Sequence, residues 1–426
     1  MTKTEARYSA VLQDLYQRTT QGIKLGLDNT RQLLDALGNP QEHMRHIVVA
    51  GTNGKGSTSS LMATVLEESG IPAGLYTSPH LLRYTERIKI RGTELSQQKV
   101  IEYYDRIREI ESKCESLPTF FEVTTAMALL AFKEASLEYA VLEVGLGGRL
   151  DSTNVVDKFL SIITPVGLDH IHILGDTVEE IAAEKAGIIQ ANRPVLFAPQ
   201  SQAARQTLET IAASYEAQVF QSTPHTLQHD ELTIEPEAQP SESFKFDGPP
   251  YQASNAATVF SAVQILRAAN LEITADHFQA ALASWQWPGR FQRIQAQAPV
   301  ILDGAHNPHA IQALFEALPK LSEQPLHVVF SALHTKDAAL MIRSLSSQST
   351  SLHLAPSSVG KSLQNKDLRA LAPTLPVYDH SLLAFEKALS QAKLDGGQVL
   401  VTGSLFLVAD ILHHLSGEAR DPGIAS

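Results

Sequence analysis

Residues 51 to 58 read Gly-Thr-Asn-Gly-Lys-Gly-Ser-Thr and directly follow the apolar run 46–50, HIVVA. Glycines let backbone N–H groups approach phosphate oxygens. Lys55 adds a positive charge, and a helix starting at the loop adds a favourable dipole. In the standard loop, G-x-x-x-x-G-K-[ST], the residue after the lysine carries a hydroxyl that holds Mg²⁺. Here Gly56 takes that place, and the first hydroxyl after Lys55 belongs to Ser57. Gly51, Thr52, Asn53, Gly54, Lys55, Gly56 and Ser57 therefore read as a phosphate cradle that leaves open which hydroxyl serves a metal. The plain alternative is a glycine turn with a surface lysine, and the strand before it and the helix after it weigh against that.

Other chemistry-bearing residues also follow apolar runs. Glu143 lies near the end of YAVLEV (139–144), where a carboxylate must be paired with a cation or a metal; Arg149 and a metal are the two partners in view. FLSIIT (159–164) leads to Asp169-His170, a pair able to ligate metal or act as a base. His172 reads as structural. Further on, Asp303 and His306 follow another run, VILDG, while Asn307 and Pro308 are accounted for as a helix cap and first turn. The most basic stretch, 75–92, holds Arg83, Arg87, Lys89 and Arg91; it reads as a solvated charged face or as an attractor for an anionic substrate. TFFEVTTA (119–126) reads first as core packing, and second as a slot for a flat heterocycle.

Such residues need a sheet edge to converge on. Short β-branched runs alternate with segments of helical period, which predicts α/β architecture with a mainly parallel sheet covered on both faces. In such a sheet, ligands bind outside the carboxyl ends of the strands. Residues 5–37 read as helical. TVEEI carries a capping box, Thr177 with Glu180. Residues 221–256 read as short strands and turns, and 254–285 as helical. Pro288-Gly289 is the best hinge. Beyond it a second alternation (VILDG, LHVVFSAL, SLHLAPSS, LPVYDH, VLVTGS) predicts a smaller Rossmann-like domain. The expected boundaries are 1–287 and 288–426.

The chain has 426 residues, enough for two or three domains, and a net charge of -12. That sign argues against a nucleic-acid binder. One cysteine, Cys114, excludes an internal disulfide or a cysteine-based zinc site and fits a reducing cytoplasm. No run of 18 apolar residues predicts a membrane span.

Taken in order, GTNGKGS, YTSPHL, RYTERI, FFEVTTA, LEVGLGGRLDSTN, LDHIHILGDTVEEIAAEKAGI, YQASN, PGRFQ, DGAHNPHA and HTKD resemble the folylpolyglutamate synthase and dihydrofolate synthase family, relatives of the Mur peptidoglycan ligases. The resemblance implies a P-loop ATPase domain followed by a glutamate ligase domain. It implies ATP-dependent addition of L-glutamate to 7,8-dihydropteroate, and extension of folates with further glutamates, through an acyl phosphate. By the same resemblance Ser78, Glu143, His170 and a carbamylated Lys185 hold Mg²⁺, in two sites, and potassium is a further ion. Lys55, His170 and Lys185 stand as the catalytic set. Asn255, Arg290, Asp303 and His306 join the loop in holding ATP. The pterin or folate contacts fall on Lys24, Leu25, Gly26, Thr119, Phe120, Phe121, Glu122, Leu150, Asp151 and Ser152. At 24 some bifunctional members carry Asp where this chain has Lys. A cytoplasmic monomer with small-molecule substrates, and neither nucleic acid nor membrane as partner, completes the expectation. Only one of these two activities, a Mur-type ligase with another carboxylate substrate, or an ATP-binding switch without turnover, are the rival readings.

Overall fold

The computed structural model describes residues 2–18, 26–236, 240–318 and 324–421. Packing divides the chain into two compact units. One gathers Met1–His80, Tyr84–Asp247 and Gln252–Trp285; the other gathers Leu81–Arg83, Gly248–Tyr251 and Gln286–Ser426.

The first unit is built on an eight-stranded sheet. Its strands are β1 (Arg45–Ala50), β2 (Ala73–Tyr76), β3 (Ile88–Ile90), β4 (Thr93–Glu94), β5 (Tyr139–Glu143), β6 (Lys158–Ile163), β7 (Pro194–Phe197) and β8 (Gln218–Gln221). Their order is β4-β3-β2-β5-β1-β6-β7-β8. β2, β5, β1, β6, β7 and β8 run parallel, and β3 and β4 are antiparallel additions. The central strands are apolar at consecutive positions because both faces are covered: Ile47, Val48, Val49 and Ala50 are all fully buried. The helices Lys55–Glu68 and Phe120–Glu134 each bury most of their residues. The chain builds β2 and β5 on one side of β1 and then β6, β7 and β8 on the other. β1 is therefore where the winding reverses, and the crevice at its carboxyl end is the natural ligand position.

The helix expected over 5–37 is two helices, Lys3–Gln17 and Asp28–Ala36. The capping box at Thr177 and Glu180 forms as read, heading the helix Val178–Ala186. A separate antiparallel sheet is made by β9 (His225–Gln228), β10 (Glu231–Ile234) and β11 (Glu242–Lys245). Phe244 of β11 packs edge-on against Phe278 with ring centroids 4.9 Å apart. The helical run beyond it is two helices, Pro250–Ala268 and Ala275–Ser284.

The second unit holds a five-stranded sheet, β12-β13-β16-β14-β15. Its strands are β12 (Gln292–Gln295), β13 (Pro299–Leu302), β14 (Leu326–Phe330), β15 (Ser351–Leu354) and β16 (Gln398–Thr402). All pairings are parallel except β12 with β13. Alternate residues serve two cores: Ile301, Phe330 and Leu400 on one face, Val300, Val329 and Val401 on the other. LPVYDH is not a strand. Val377 makes one isolated bridge to Leu354, and Pro376 beside it has no N–H to continue a ladder.

Candidate functional site

The phosphate loop leaves the carboxyl end of β1. Gly51 and Gly54 have φ of 145° and 87°, conformations that favour glycine. A Cβ on Gly51 would overlap the Thr164 side chain, and one on Gly54 would lie 2.6 Å from Asn255 Oδ1. The loop is pinned from β6: Thr52 N–H donates to Pro165 O at 3.0 Å, and Gly167 N–H donates to Thr52 Oγ1 at 3.1 Å. The helix Lys55–Glu68 begins at Gly54 without a side-chain cap, so no capping side chain occupies its leading N–H groups. Lys55 Nζ folds back onto Gly51 O and Thr52 O, both at 3.1 Å.

Ser78 and Glu143 meet beside the loop. β2 and β5 are in register at Tyr76 and Leu142, which brings the residues just beyond them together. Ser78 N–H donates to Glu143 Oε2 at 2.9 Å, and Glu143 is buried. Arg149, the bland partner the sequence offered for Glu143, is instead paired with Glu184 at 2.8 Å. Lys185 is buried to 4% exposure. Burial, and then the nearby positive charge of Lys55, push its pKa down to about 7, while Asp169 and Asp151 pull it up. Lys55, Lys185, Asp169 and Asp151 are thus electrostatic neighbours. His170 takes a left-handed backbone with φ of 51°, uncommon away from glycine. Its ring is half-exposed, with Nε2 3.9 Å from Asp169.

Among the described residues, no three His, Cys, Asp or Glu side chains cluster to hold a metal. The set the resemblance implies is of another kind, since only Glu143 and His170 belong to those types. A buried carboxylate beside a serine offers hard oxygen donors, which suit Mg²⁺. A lysine with its pKa near 7 carries a substantial fraction of neutral amine, the form that takes up CO₂.

Thr119 and Glu122 form the capping box of Phe120–Glu134. Phe120 packs against Tyr16 and Tyr84. Phe121 remains partly exposed, with its ring 5.8 Å from Tyr76 and its edge against the α-carbon of Gly145. Phe120 thus fits the core reading of this motif. Asp151 is buried and accepts from Gly145 N–H, Leu146 N–H, Thr153 N–H and the Thr153 hydroxyl, at 3.0, 3.1, 2.9 and 2.6 Å. Burial raises its pKa against those hydrogen bonds. Leu150 flanks it half-buried, and Ser152 is buried at the start of the next helical turn. Gly26 lies at the start of a described segment with φ of 155°. Lys24 and Leu25 lie outside the described residues. Arg87 corrects the reading of 75–92 as a solvated face: it is buried, 5.0 Å above the Phe120 ring, and donates to His80 Nδ1 at 2.8 Å.

On the second unit, Asp303 directly follows β13 and is buried. It accepts from the Tyr251 hydroxyl, Phe291 N–H and Ala305 N–H, each at 2.8 Å. Burial raises its pKa, and Arg290 opposes that rise. Phe291 is held at φ of 53°, which aims its N–H at the carboxylate. His306 Nδ1 lies 2.8 Å from Gly304 O, and Arg290 donates to the same carbonyl at 3.5 Å. Asn307 caps Pro308–Ala317 as read.

Two family models match: the Mur ligase middle domain over residues 49–255, and the Mur ligase, glutamate ligase domain, over 289–405. Fold and loop thereby define a ligase of the Mur class. A dihydrofolate synthase/folylpolyglutamate synthase of Bacillus subtilis is 34% identical, covering 94% of this chain and 97% of its own. E. coli FolC in complex with DHPP and ADP superposes with a TM-score of 0.86 at 31% identity, covering 96% of this chain and 98% of its own. A bifunctional folylpolyglutamate synthase/dihydrofolate synthase with Mn, AMPPNP and L-glutamate bound gives 0.86 at 30% identity, over the same shares. The chain belongs to the dihydrofolate synthase/folylpolyglutamate synthase family.

Proposed function

We propose that this enzyme uses ATP to join L-glutamate to 7,8-dihydropteroate, and to folates already carrying glutamate. The observation that carries the reading is the phosphate loop at the winding reversal of the sheet, with Lys55 heading the helix and the Ser78–Glu143 pair and Lys185 beside it. The relative with DHPP and ADP, and the one with AMPPNP and L-glutamate, bind the same classes of molecule. The proposal assigns ATPase chemistry to residues 1–287 and glutamate ligation to 288–426.

A carboxylate does not condense with an amine at neutral pH. On this reading the substrate carboxylate attacks the γ-phosphorus of ATP in line, and the bond to the bridging oxygen breaks to release ADP. Lys55 exchanges the Gly51 and Thr52 carbonyls for phosphate oxygens, and the loop N–H groups and helix dipole stabilise the spreading charge. The amine of glutamate then attacks the acyl phosphate, loses its proton, and phosphate leaves. Mg²⁺ held by Ser78, Glu143, His170 and carbamylated Lys185 would neutralise charge on the transferring phosphoryl group. Gly51 to Ser57, Asn255, Arg290, Asp303 and His306 are the proposed ATP contacts. Phe121 with Thr119, Phe120, Glu122, Leu150, Asp151, Ser152 and residues 24–26 would line the pterin side. Potassium, a monomeric state and a cytoplasmic location belong to the same proposal; among the described residues no helix is long and apolar enough to cross a membrane.

A split assay tests it. Purified protein receives ATP, Mg²⁺ and L-glutamate with either 7,8-dihydropteroate or a reduced folate monoglutamate, and ADP and product mass are followed. Turnover in both tubes is expected. Turnover in one names a single activity, and silence in both overturns the proposal.

A further inference from the structure

The first hydroxyl after Lys55 has a partner the sequence does not announce. Ser57 is buried in the first turn of its helix, and its Oγ accepts from Gln252 Nε2 at 3.2 Å. Gln252 lies in the first turn of Pro250–Ala268 and is itself 3% exposed. Its other amide atom, Oε1, accepts from Asn255 Nδ2 at 2.9 Å. Asn255 Oδ1 then stands where any side chain on Gly54 would have to go. One buried relay thus runs from the middle of the phosphate loop to its helical end: Gly54, Asn255, Gln252, Ser57.

The direction of these bonds has a chemical consequence. A hydroxyl that accepts an amide hydrogen keeps its own hydrogen to donate. At a helix N-terminus, its natural acceptor is an anion. The same amide hydrogen places positive charge where a cation on the Ser57 oxygen would crowd it. We propose that Gln252 is a positioning residue that sets the Ser57 hydroxyl as a donor to a nucleotide phosphate and withdraws it from metal ligation. The relay also fixes Asn255 against the loop, so the loop's shape and the hydroxyl's orientation are set by one amide. This rests on the ATP-dependent reading above and deepens it, because it explains why Ser57 does not take over the metal role of the hydroxyl lost at Gly56.

The test is a mutant cycle read by binding, which needs no folate substrate. Ser57→Ala, Gln252→Met and the double variant are titrated with ADP at saturating Mg²⁺, and the Mg²⁺ midpoint for ADP binding is measured for each. Each single substitution should weaken ADP about 10-fold, the scale of one hydrogen bond to a charged group. The double should be no weaker than about the worse single, because both remove one interaction. The Mg²⁺ midpoint should stay within about twofold of wild type in all three. Wild-type affinity in Gln252→Met, multiplication of the two losses, or a raised Mg²⁺ midpoint in Ser57→Ala overturns the assignment. Thermal melts check folding, and Gln252→Ala substitutes, with the same expectation, should the thioether not pack. Silence of the wild type in the folate assay would overturn the proposed reaction, while the ADP cycle separately judges Gln252.

Discussion

His46 is the second residue of β1, the strand that delivers the phosphate loop, and it should make the first unit sensitive to acid. Its ring is buried at 1% exposure, and Nδ1 lies 3.0 Å from Asp157 O. A carbonyl only accepts, so Nδ1 carries the hydrogen, while the buried Nε2 has no hydrogen-bond partner to receive a second one. Burial, and then Lys158, push its pKa from 6.5 down to about 4, against the pull of the Asp157 carbonyl and carboxylate. Above pH 6.5 the folded and unfolded chains are both neutral at this site, and His46 adds no pH dependence. Between 6.5 and 4 the unfolded chain takes the proton and the folded chain refuses it, so stability falls with pH. Below 4 both are charged and the loss levels off. Linkage makes the loss about 2 kcal/mol at pH 5 and about 3 kcal/mol at pH 4. Urea unfolding at pH 7.5 and 5.0 measures it, with His46→Gln as the comparison, since glutamine keeps an N–H for the Asp157 carbonyl and does not titrate. A Trp287→Phe background leaves Trp285, hydrogen-bonded to Ser60 in the same unit, as the fluorescent reporter. Wild type should lose about 2 kcal/mol more than the variant between the two pH values. Parallel losses would refute the neutral, buried imidazole.

Lys55→Ala should lower turnover by about 10²-fold or more, the scale of one lost charge-stabilising donor; a near wild-type rate removes the lysine from the phosphate site. Ser78→Ala should raise the Mg²⁺ requirement of turnover, and an unchanged Mg²⁺ titration would return the metal hydroxyl to Ser57 and contradict the relay through Gln252 as well. Asp151→Asn offers one acceptor oxygen where the carboxylate offered two to four donors, so it should cost about 1–3 kcal/mol of stability, measured by thermal or urea unfolding. An unchanged melting temperature with lost folate binding would instead make Asp151 a direct substrate contact.

The strands around the site were legible because each obeys a local rule. A strand covered on both faces is apolar at every position, so runs 46–50, 139–144, 159–164 and 194–198 fall within a residue or two of β1, β5, β6 and β7. The short strand β3 and the edge strand β12 were not, because IKI and QRIQ alternate with charge and polarity as any exposed stretch does. Glu143 was legible for the opposite reason, a charge where the pattern demands none. Lys185 has no such signature: it sits on a short helix among glutamates, and its depressed pKa comes from the fold burying it near Lys55. Only family resemblance singled it out. Arg87 misled for the same reason, since the ring that covers it belongs to Phe120, far along the chain. Gln252 and Ser57 lie 195 positions apart, and neither type is unusual where it stands. Positional chemistry at strand ends can therefore be read from periodicity, whereas the partners that tune it are set by which helices the sheet order makes neighbours. That order is fixed by long-range packing between strands, and no local window of the sequence contains it.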